Sequence, residues 1–251
     1  MFRMLPAKLP AWADAALSFV YPDVCQLCTA SRATKSEGYV CADCRAQVRP
    51  IAAPFCARCG LPFEGKITGA FQCTNCREME LHFASARSAV AARGVVLAAI
   101  HRYKYDGQMW FEEVLAELFL HGARDWFREQ PAAALLPVPL YPVKQRERGF
   151  NQAERLARRL GAAVNVPVRT DLLKRVRPTP SQTRLTRTQR ADNMRRAFAW
   201  QRKEKLAGGS FVLIDDVFTT GATTSACAKL LLQAGADRVV VWTVARAEFH
   251  G

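Results

Sequence analysis

The 251-residue sequence contains no long hydrophobic run. A helix that crosses a bilayer needs about 20 consecutive apolar residues, and no apolar stretch here reaches roughly 18. We therefore expect no membrane span. Half of the residues are nevertheless hydrophobic, so the chain can bury a sizeable core, and global disorder is excluded.

A convincing secretion signal is also missing. The first residues carry basic side chains and a weakly apolar stretch, but Pro6, Pro10 and Asp14 interrupt that stretch. We interpret residues 1–20 as a short docking helix of a cytoplasmic protein. Disulfide bonds are rare in that compartment, which bears on the cysteines discussed below.

Acidic residues are scarce relative to basic ones. The chain has 36 Lys and Arg against 22 Asp and Glu, a formal net charge of +14. Residues 140–205 alone hold 18 basic and 5 acidic side chains, so nearly all of the excess lies in this segment. Such a segment indicates either a polyanionic partner or a solvated basic face, and charge alone does not decide between them.

Eight of the nine cysteines form four Cys-x-x-Cys pairs near the N-terminus. Twelve residues separate the first two pairs and thirteen the last two, so the unit looks duplicated. Two such pairs supply four thiolates that can close tetrahedrally on one Zn²⁺ ion. The candidate metal ligands are Cys25, Cys28, Cys41, Cys44, Cys56, Cys59, Cys73 and Cys76.

We interpret these cysteines as two structural zinc sites. A disulfide framework fits poorly with a chain that lacks a secretion signal, and a redox site needs one such pair rather than four. Pairing of the first four and the last four cysteines is the simplest arrangement, although a cross-braced one stays open. Cys227 stands apart on the apolar side of a predicted helix, which favours a role in the core.

The remaining sequence alternates between strand and helix patterns. Apolar spacing predicts a helix over residues 110–129, with Trp110 on its apolar face, and another from 151 with Asn151 as N-cap. Short apolar runs predict strands at 135–140, 164–168, 172–176, 210–214 and 237–246. This alternation predicts an α/β fold with a mainly parallel sheet. The polar, basic segment 177–196 is a long loop or an exposed arm.

Two adjacent carboxylates follow one of the predicted strands. FVLI at 211–214 is a continuous apolar run, typical of a strand that is covered on both faces, and Asp215 and Asp216 come next. Neighbouring side chains on a strand point to opposite sides, so these acids cannot act together on one glycosidic bond. Their better use is to accept hydrogen bonds from sugar hydroxyls or from water around a Mg²⁺ ion.

A short Thr/Gly loop and a predicted helix come directly after these acids. Backbone N–H groups at the start of a helix suit a phosphate dianion, and Gly221 lets the backbone approach it closely. The candidate phosphate-binding residues are Thr219, Thr220, Gly221, Ala222 and Thr223. Carboxylates that can bind a pentose, followed by backbone donors that can bind its phosphate, indicate a ribose 5-phosphate site.

Two levels of resemblance follow from these motifs. LIDDVFTTGATT resembles the phosphoribosyl-pyrophosphate (PRPP) motif of type I phosphoribosyltransferases. Together with the four cysteine pairs, PVPLYPVKQRERGFNQAE and TPSQTRLTRTQRADNMRRAF, it is similar to the ComF family, which includes ComFC and GntX-like proteins. The resemblance extends from about residue 18 to residue 246.

The resemblance implies a double zinc-ribbon domain at 21–80 and a phosphoribosyltransferase-like domain at 81–251. In that fold, Asp215 and Asp216 would contact the ribose hydroxyls and residues 219–223 the 5′-phosphate. Lys144, Arg146 and Arg148, in the loop expected after the 135–140 strand, would contact the pyrophosphate. RGFNQAE at 148–154 has a second interpretation, as a capped helix start.

Two classes of function stay open at this point. The first is an enzyme that transfers or hydrolyses the phosphoribosyl group of PRPP, bound with Mg²⁺. The second is a non-catalytic or regulatory protein of DNA uptake that binds single-stranded DNA and DNA-uptake proteins, with Arg184, Arg187 and Arg190 as candidate phosphate contacts. A phosphoribosyltransferase fold alone does not establish activity.

Overall fold

A four-stranded parallel sheet forms the centre of the protein. The computed structural model describes residues 23–63, 65, 67, 69–178 and 196–247, so the predicted docking helix lies outside the described residues. The strands, in chain order, are β1 (Ser85–Ala91), β2 (Ala134–Pro137), β3 (Leu173–Arg175), β4 (Phe198–Trp200), β5 (Ser210–Phe218) and β6 (Arg238–Arg246). The main sheet has the order β1-β6-β5-β2, and β3 pairs with β4 in a separate antiparallel ribbon. The predicted mainly parallel α/β fold is confirmed.

Helices cover this sheet and connect its strands. They are α1 (Ala42–Ala46), α2 (Thr74–Glu78), α3 (Gly94–Tyr105), α4 (Phe111–Glu129), α5 (Pro142–Arg148), α6 (Gln152–Val164) and α7 (Ala222–Gln233). A 3₁₀ turn spans Lys35–Glu37. Within the described ranges, no helix has both the length and the apolar character that a membrane crossing requires.

The helix predicted at 110–129 is confirmed as α4, with one change at its start. Val114, Leu115 and Phe119 are buried as expected, but Trp110 precedes the helix and stays 39% exposed. Its ring meets Tyr39 edge-on, with the centroids 6.1 Å apart. Trp110 therefore packs against the cysteine-rich region instead of the sheet.

The capped start of α6 is confirmed, whereas the strand predicted at 164–168 is wrong. The Asn151 side chain accepts a hydrogen bond from the Ala153 N–H at 3.0 Å. The helix then continues to Val164 and ends at Asn165 in the left-handed conformation. Since Pro167 has no N–H for a ladder, only one isolated bridge forms there, between Val168 and Leu135.

Alternation along the central strands divides the interior into two cores. Val212 and Ile214 of β5 face the side that α4 and α6 cover. Phe211 and Leu213 face the opposite side, where α7 and the β3–β4 ribbon pack and where Cys227 is fully buried. Both faces of the sheet are thus covered, which explains why these strands read as continuous apolar runs.

The cysteine-rich region packs against both cores. Residues 49–51 run antiparallel to β1, with the Ile51 N–H donating to the Ala89 carbonyl and the Ala91 N–H to the Arg49 carbonyl, both at 2.9 Å. The first four cysteines lie on the α4 side of the sheet and the last four on the α7 side. The region therefore wraps the β1 edge, and a domain boundary near residue 80 remains a prediction.

The eight cysteines form two separate groups of four. Cys25, Cys28, Cys41 and Cys44 form one group, Cys56, Cys59, Cys73 and Cys76 the other, and within each group all sulfur atoms lie within 4.8 Å of one another. The Sγ–Sγ distances include 3.7 Å for Cys25–Cys44 and 3.8 Å for Cys28–Cys41. Tetrahedral Zn²⁺ with Zn–S bonds of about 2.3 Å separates its sulfurs by about 3.8 Å. The sequential pairing is confirmed, and both groups fit structural zinc.

Elemental analysis of the purified protein should return two zinc ions per chain. Because each group offers four thiolates and no open position, both ions are expected to be structural and slow to leave. The Cys28→Ser and Cys76→Ser variants, which each remove one ligand from one group, should each contain about one ion. A wild-type protein with one ion or none would contradict this expectation.

Candidate functional site

The two aspartates lie within β5 near its carboxyl end, on opposite sides of the strand. Asp216 is only 3% exposed, and its Oδ2 lies 2.5 Å from the Lys104 Nζ of α3. Asp215 is partly accessible and interacts electrostatically with Arg175 of β3. Each carboxylate also accepts the backbone N–H of the following residue, at 2.9 and 2.8 Å respectively. The side chains are therefore fixed in the free protein.

Three cations surround Asp215. Burial raises the pKa of Asp215 to about 6, although Lys104, Arg175 and Arg148 oppose this shift. Burial likewise lowers the pKa of Lys104 to about 8, against the attraction of Asp215. Charges of both signs are thus held where water is scarce, and such perturbed groups are concentrated at functional sites.

A tight loop joins β5 to α7 directly after the acids. Gly221 has φ +81°, and a Cβ at this position would lie 2.6 Å from the Phe218 ring. The Thr224 hydroxyl donates to the Gly221 carbonyl at 3.1 Å and closes the first turn of α7. Within the described part of the chain, no group accepts the N–H of Thr219, Thr220 or Gly221. These donors and the Thr223 N–H in the first turn are available to an anion, whereas the Ala222 N–H makes a long hydrogen bond of 3.4 Å to the Thr220 hydroxyl.

The segment after β2, which the resemblance predicts to be a pyrophosphate loop, is instead the short helix α5, and this corrects the predicted loop conformation. Pro142 occupies its first turn and Gly149 ends it at φ +81°, a pairing of residues that favours a helix. Lys144 and Arg146 are exposed on this helix, whereas Arg148 is half-buried, with its Cζ 5.4 Å from the Tyr105 ring centroid. Burial lowers the pKa of Arg148, and Tyr105 and Asp215 oppose that shift. Of the three candidates, Arg148 has a described interaction with the acids.

Three cations at the site were missed by sequence reasoning: Lys104, Arg175 and Arg246. Lys104 follows Ile100 by four residues and so falls on the buried side of α3, where a lysine signals a carboxylate partner. Arg246 ends the apolar run of β6, which is a weak signal, and Arg175, between Lys174 and Val176, gives none. Arg184, Arg187 and Arg190 lie outside the described residues.

Comparison with known proteins agrees with this architecture. Residues 16–80 match the family described as double zinc ribbon domain, and residues 146–248 match the phosphoribosyl transferase domain family. The chain is therefore a double zinc ribbon joined to a phosphoribosyltransferase-type domain.

Relatives of similar length share nearly the whole chain. It is 31% identical to Competence protein F of Haemophilus influenzae over 212 residues, covering 83% of this chain and 90% of that protein. It is 29% identical to DNA utilization protein YhgH of Salmonella typhimurium, covering 90% and 97% of the two chains. Identity to Competence protein ComFC of Bacillus subtilis is 26%, covering 80% and 81%. The chain belongs to the competence protein F (ComF) family.

The buried carboxylate of Asp215 should reduce stability above its pKa. A folded pKa of about 6, above the unfolded value near 4, means that ionisation opposes folding. Between pH 5 and pH 7 we expect Asp215→Asn to gain about 1 kcal/mol in unfolding free energy relative to wild type. Urea unfolding at both pH values measures this difference.

Asp171→Asn is the matched control. Hydrogen bonding to Arg169 holds the pKa of Asp171 well below its usual range, so its charge does not change between pH 5 and pH 7. The difference between this variant and wild type should therefore stay flat over the interval. If the unfolding free energy of Asp215→Asn relative to wild type also stayed constant over this interval, the fold would not disfavour the charged form of the Asp215 carboxylate.

Proposed function

We propose that this protein binds Mg-PRPP, or a related ribose 5-phosphate ligand, at the turn between β5 and α7. The observation that carries the proposal is the order of groups along this turn. Two fixed carboxylates are followed, within three residues, by backbone donors that have no acceptor among the described residues. A ribose 5-phosphate presents hydroxyls and a phosphate dianion in one molecule.

Each group has a distinct role in this proposal. Asp215 and Asp216 accept hydrogen bonds from the ribose hydroxyls, and the N–H groups of residues 219–223 receive the 5′-phosphate. Lys104 binds Asp216, and both Lys104 and Arg148 interact electrostatically with Asp215. These two cations offset the negative charge of a pyrophosphate. Bound Mg²⁺ would neutralise further charge on the pyrophosphate oxygens.

Transfer chemistry would need little more than this arrangement. The bond from the ribose C1 to the pyrophosphate oxygen breaks, the electron pair leaves with pyrophosphate, and a nucleophile then bonds to C1. The carboxylates hold the pentose in place while the cations stabilise the leaving group, so positioning and electrostatics supply the rate enhancement.

A role in handling incoming DNA is the biological setting we propose. Relatives carry the names competence protein and DNA utilization protein. In this chain, the 140–205 segment carries most of the net positive charge, and described members such as Lys144 and Arg146 are exposed. These features favour single-stranded DNA as a second ligand, bound apart from the sugar-phosphate site.

Calorimetry with Mg-PRPP tests the sugar-phosphate site. The Asp215→Asn/Asp216→Asn variant should bind at least about tenfold more weakly, because each lost carboxylate removes charged hydrogen bonds to the ribose. The Asp43→Asn/Asp125→Asn variant loses the same charge at exposed positions and should bind as wild type does. Failure of the wild type to bind Mg-PRPP or ribose 5-phosphate would exclude this function.

Labelled single-stranded DNA tests the second ligand. If Arg184, Arg187 and Arg190 contact phosphates, changing all three to Gln should reduce the slope of log affinity against log salt by about 2. A control with the exposed Arg49, Arg124 and Arg128 changed to Gln should keep the wild-type slope. The double aspartate variant should keep most DNA binding, and an equal loss of both ligands would contradict separate sites.

A further inference from the structure

Arg246, at the end of β6, is the largest fully buried side chain in the described part of the protein. Its exposure is 1%. A guanidinium group carries five N–H donors and keeps its charge, so burial without acceptors is very unfavourable. Besides the neighbouring Ala247 carbonyl, its acceptors lie on two sides, at the start of the loop after β5 and in the second cysteine group, which consists of Cys56, Cys59, Cys73 and Cys76.

On the first side, Arg246 binds the carbonyls that begin the phosphate loop. Its Nη1 donates to the Phe218 oxygen at 3.3 Å and to the Thr219 oxygen at 3.0 Å. The Phe218 ring packs below the guanidinium, with 4.8 Å from Cζ to the ring centroid. Both carbonyls are therefore drawn toward the interior of the protein.

This attraction sets the direction of the loop donors. In a trans peptide the C=O of one residue and the N–H of the next are coplanar and point in opposite directions. With the Phe218 and Thr219 carbonyls held inward, the Thr219 and Thr220 N–H groups point away from Arg246. The sheet also holds the Phe218 carbonyl, which accepts the Ala247 N–H at 2.9 Å. The Thr219 carbonyl has Arg246 as its described donor, so Arg246 chiefly orients the Thr220 N–H, from the interior side of the loop.

On the other side, Arg246 binds a member of the second cysteine group. Its Nε donates to the Cys59 carbonyl at 3.1 Å, and its Nη2 lies 3.5 Å from the Cys59 Sγ. A metal ion would fix the position and rotamer of Cys59, and with them these two acceptors. Six residues after Cys76, the His82 N–H donates to the Ser225 hydroxyl of α7 at 3.0 Å.

The first cysteine group has different neighbours. Arg102 of α3 donates to the Gln26 carbonyl, and Arg45 binds the carbonyls of Val40 and Glu37 at 3.2 and 2.8 Å. Among the described contacts, none joins this group to residues 218–221. The two groups are thus unequal with respect to the loop.

We infer that Arg246 is a positioning residue that makes the phosphate loop depend on metal at the second cysteine group and not on metal at the first. The coupling is a property of the free protein. Its consequence for ligand affinity rests on the proposed sugar-phosphate function. If the second metal ion were lost, Cys59 would be released, the guanidinium would lose this anchor, and the Thr220 donor would lose its fixed direction.

Hydrogen exchange of ligand-free, full-length protein tests the coupling. Cys76→Ser removes a ligand that has no described contact with Arg246. It should raise exchange of the hydrogen-bonded amides within residues 218–226, such as the Ser225 N–H that donates to the Gly221 carbonyl at 2.8 Å, by about tenfold. Cys28→Ser, the matched change in the first group, should leave that segment as in wild type. Zinc content confirms that each variant has lost one ion.

Variants of Arg246 test whether the connection between the second cysteine group and the loop runs through this residue. Arg246→Met should raise exchange in the same segment, and adding Cys76→Ser to it should have little further effect, because the two changes interrupt one connection. Arg246→Lys keeps the charge but cannot reach both sides, so it should retain zinc and raise exchange in the segment by a smaller factor. This variant keeps the route testable if Arg246→Met fails to fold. Arg45→Met, which loses an arginine beside the first group, should leave the segment unchanged.

Calorimetry with Mg-PRPP separates this inference from the proposed function. Cys76→Ser and Arg246→Lys should each weaken binding about tenfold, and Cys28→Ser should not. Loop exchange that responds as described in a protein without PRPP affinity would support the coupling and refute the function. Loop exchange that ignores Cys76→Ser, or responds equally to Cys28→Ser, would overturn the coupling.

Discussion

Charge that is buried at the carboxyl end of β5 constrains the rest of this protein. A carboxylate removed from water is strongly unfavourable unless cations or donors replace the lost hydration. Asp216 meets Lys104 from α3, and Asp215 lies among Arg148 from α5, Arg175 from β3 and Lys104. Three separate parts of the chain therefore converge on one strand end. At such a site, the hydroxyls and phosphates of a ligand can replace the contacts that these charged side chains make with one another.

The cysteine-rich region is part of this arrangement. Residues 49–51 cover the β1 edge, and the two cysteine groups extend from there onto opposite faces of the sheet. The second group reaches the loop after β5 through Arg246, which is buried between them. The cysteine-rich region therefore packs against both cores of the sheet.

Sequence patterns predicted several elements of the fold correctly. The buried β5 strand, α4, the Asn151 cap and the two groups of four cysteines all follow from residues that are close in sequence. The partners of the acids do not, because Lys104 and Arg175 approach from distant elements and only the folded sheet joins them to β5. Family resemblance predicts a loop where α5 lies, whereas Pro142 in the first turn and Gly149 at the C-cap are local signals for a short helix. The strand expected at 164–168 failed because α6 continues to Val164 and Pro167 lacks a donor.

The position of β6 has a consequence for how the chain assembles. It follows every other described strand in sequence but lies between β1 and β5 in the sheet, where Ser85 pairs with Val240. The cysteine groups instead close over short spans, so they can gather while the strands are still apart. During synthesis, the edges of β1 and β5 that later pair with β6 stay unpaired until β6 emerges. Unpaired strand edges favour wrong strand pairing during this interval. Residues 49–51 cover the opposite edge of β1, so only the edge that later pairs with β6 stays open on that strand.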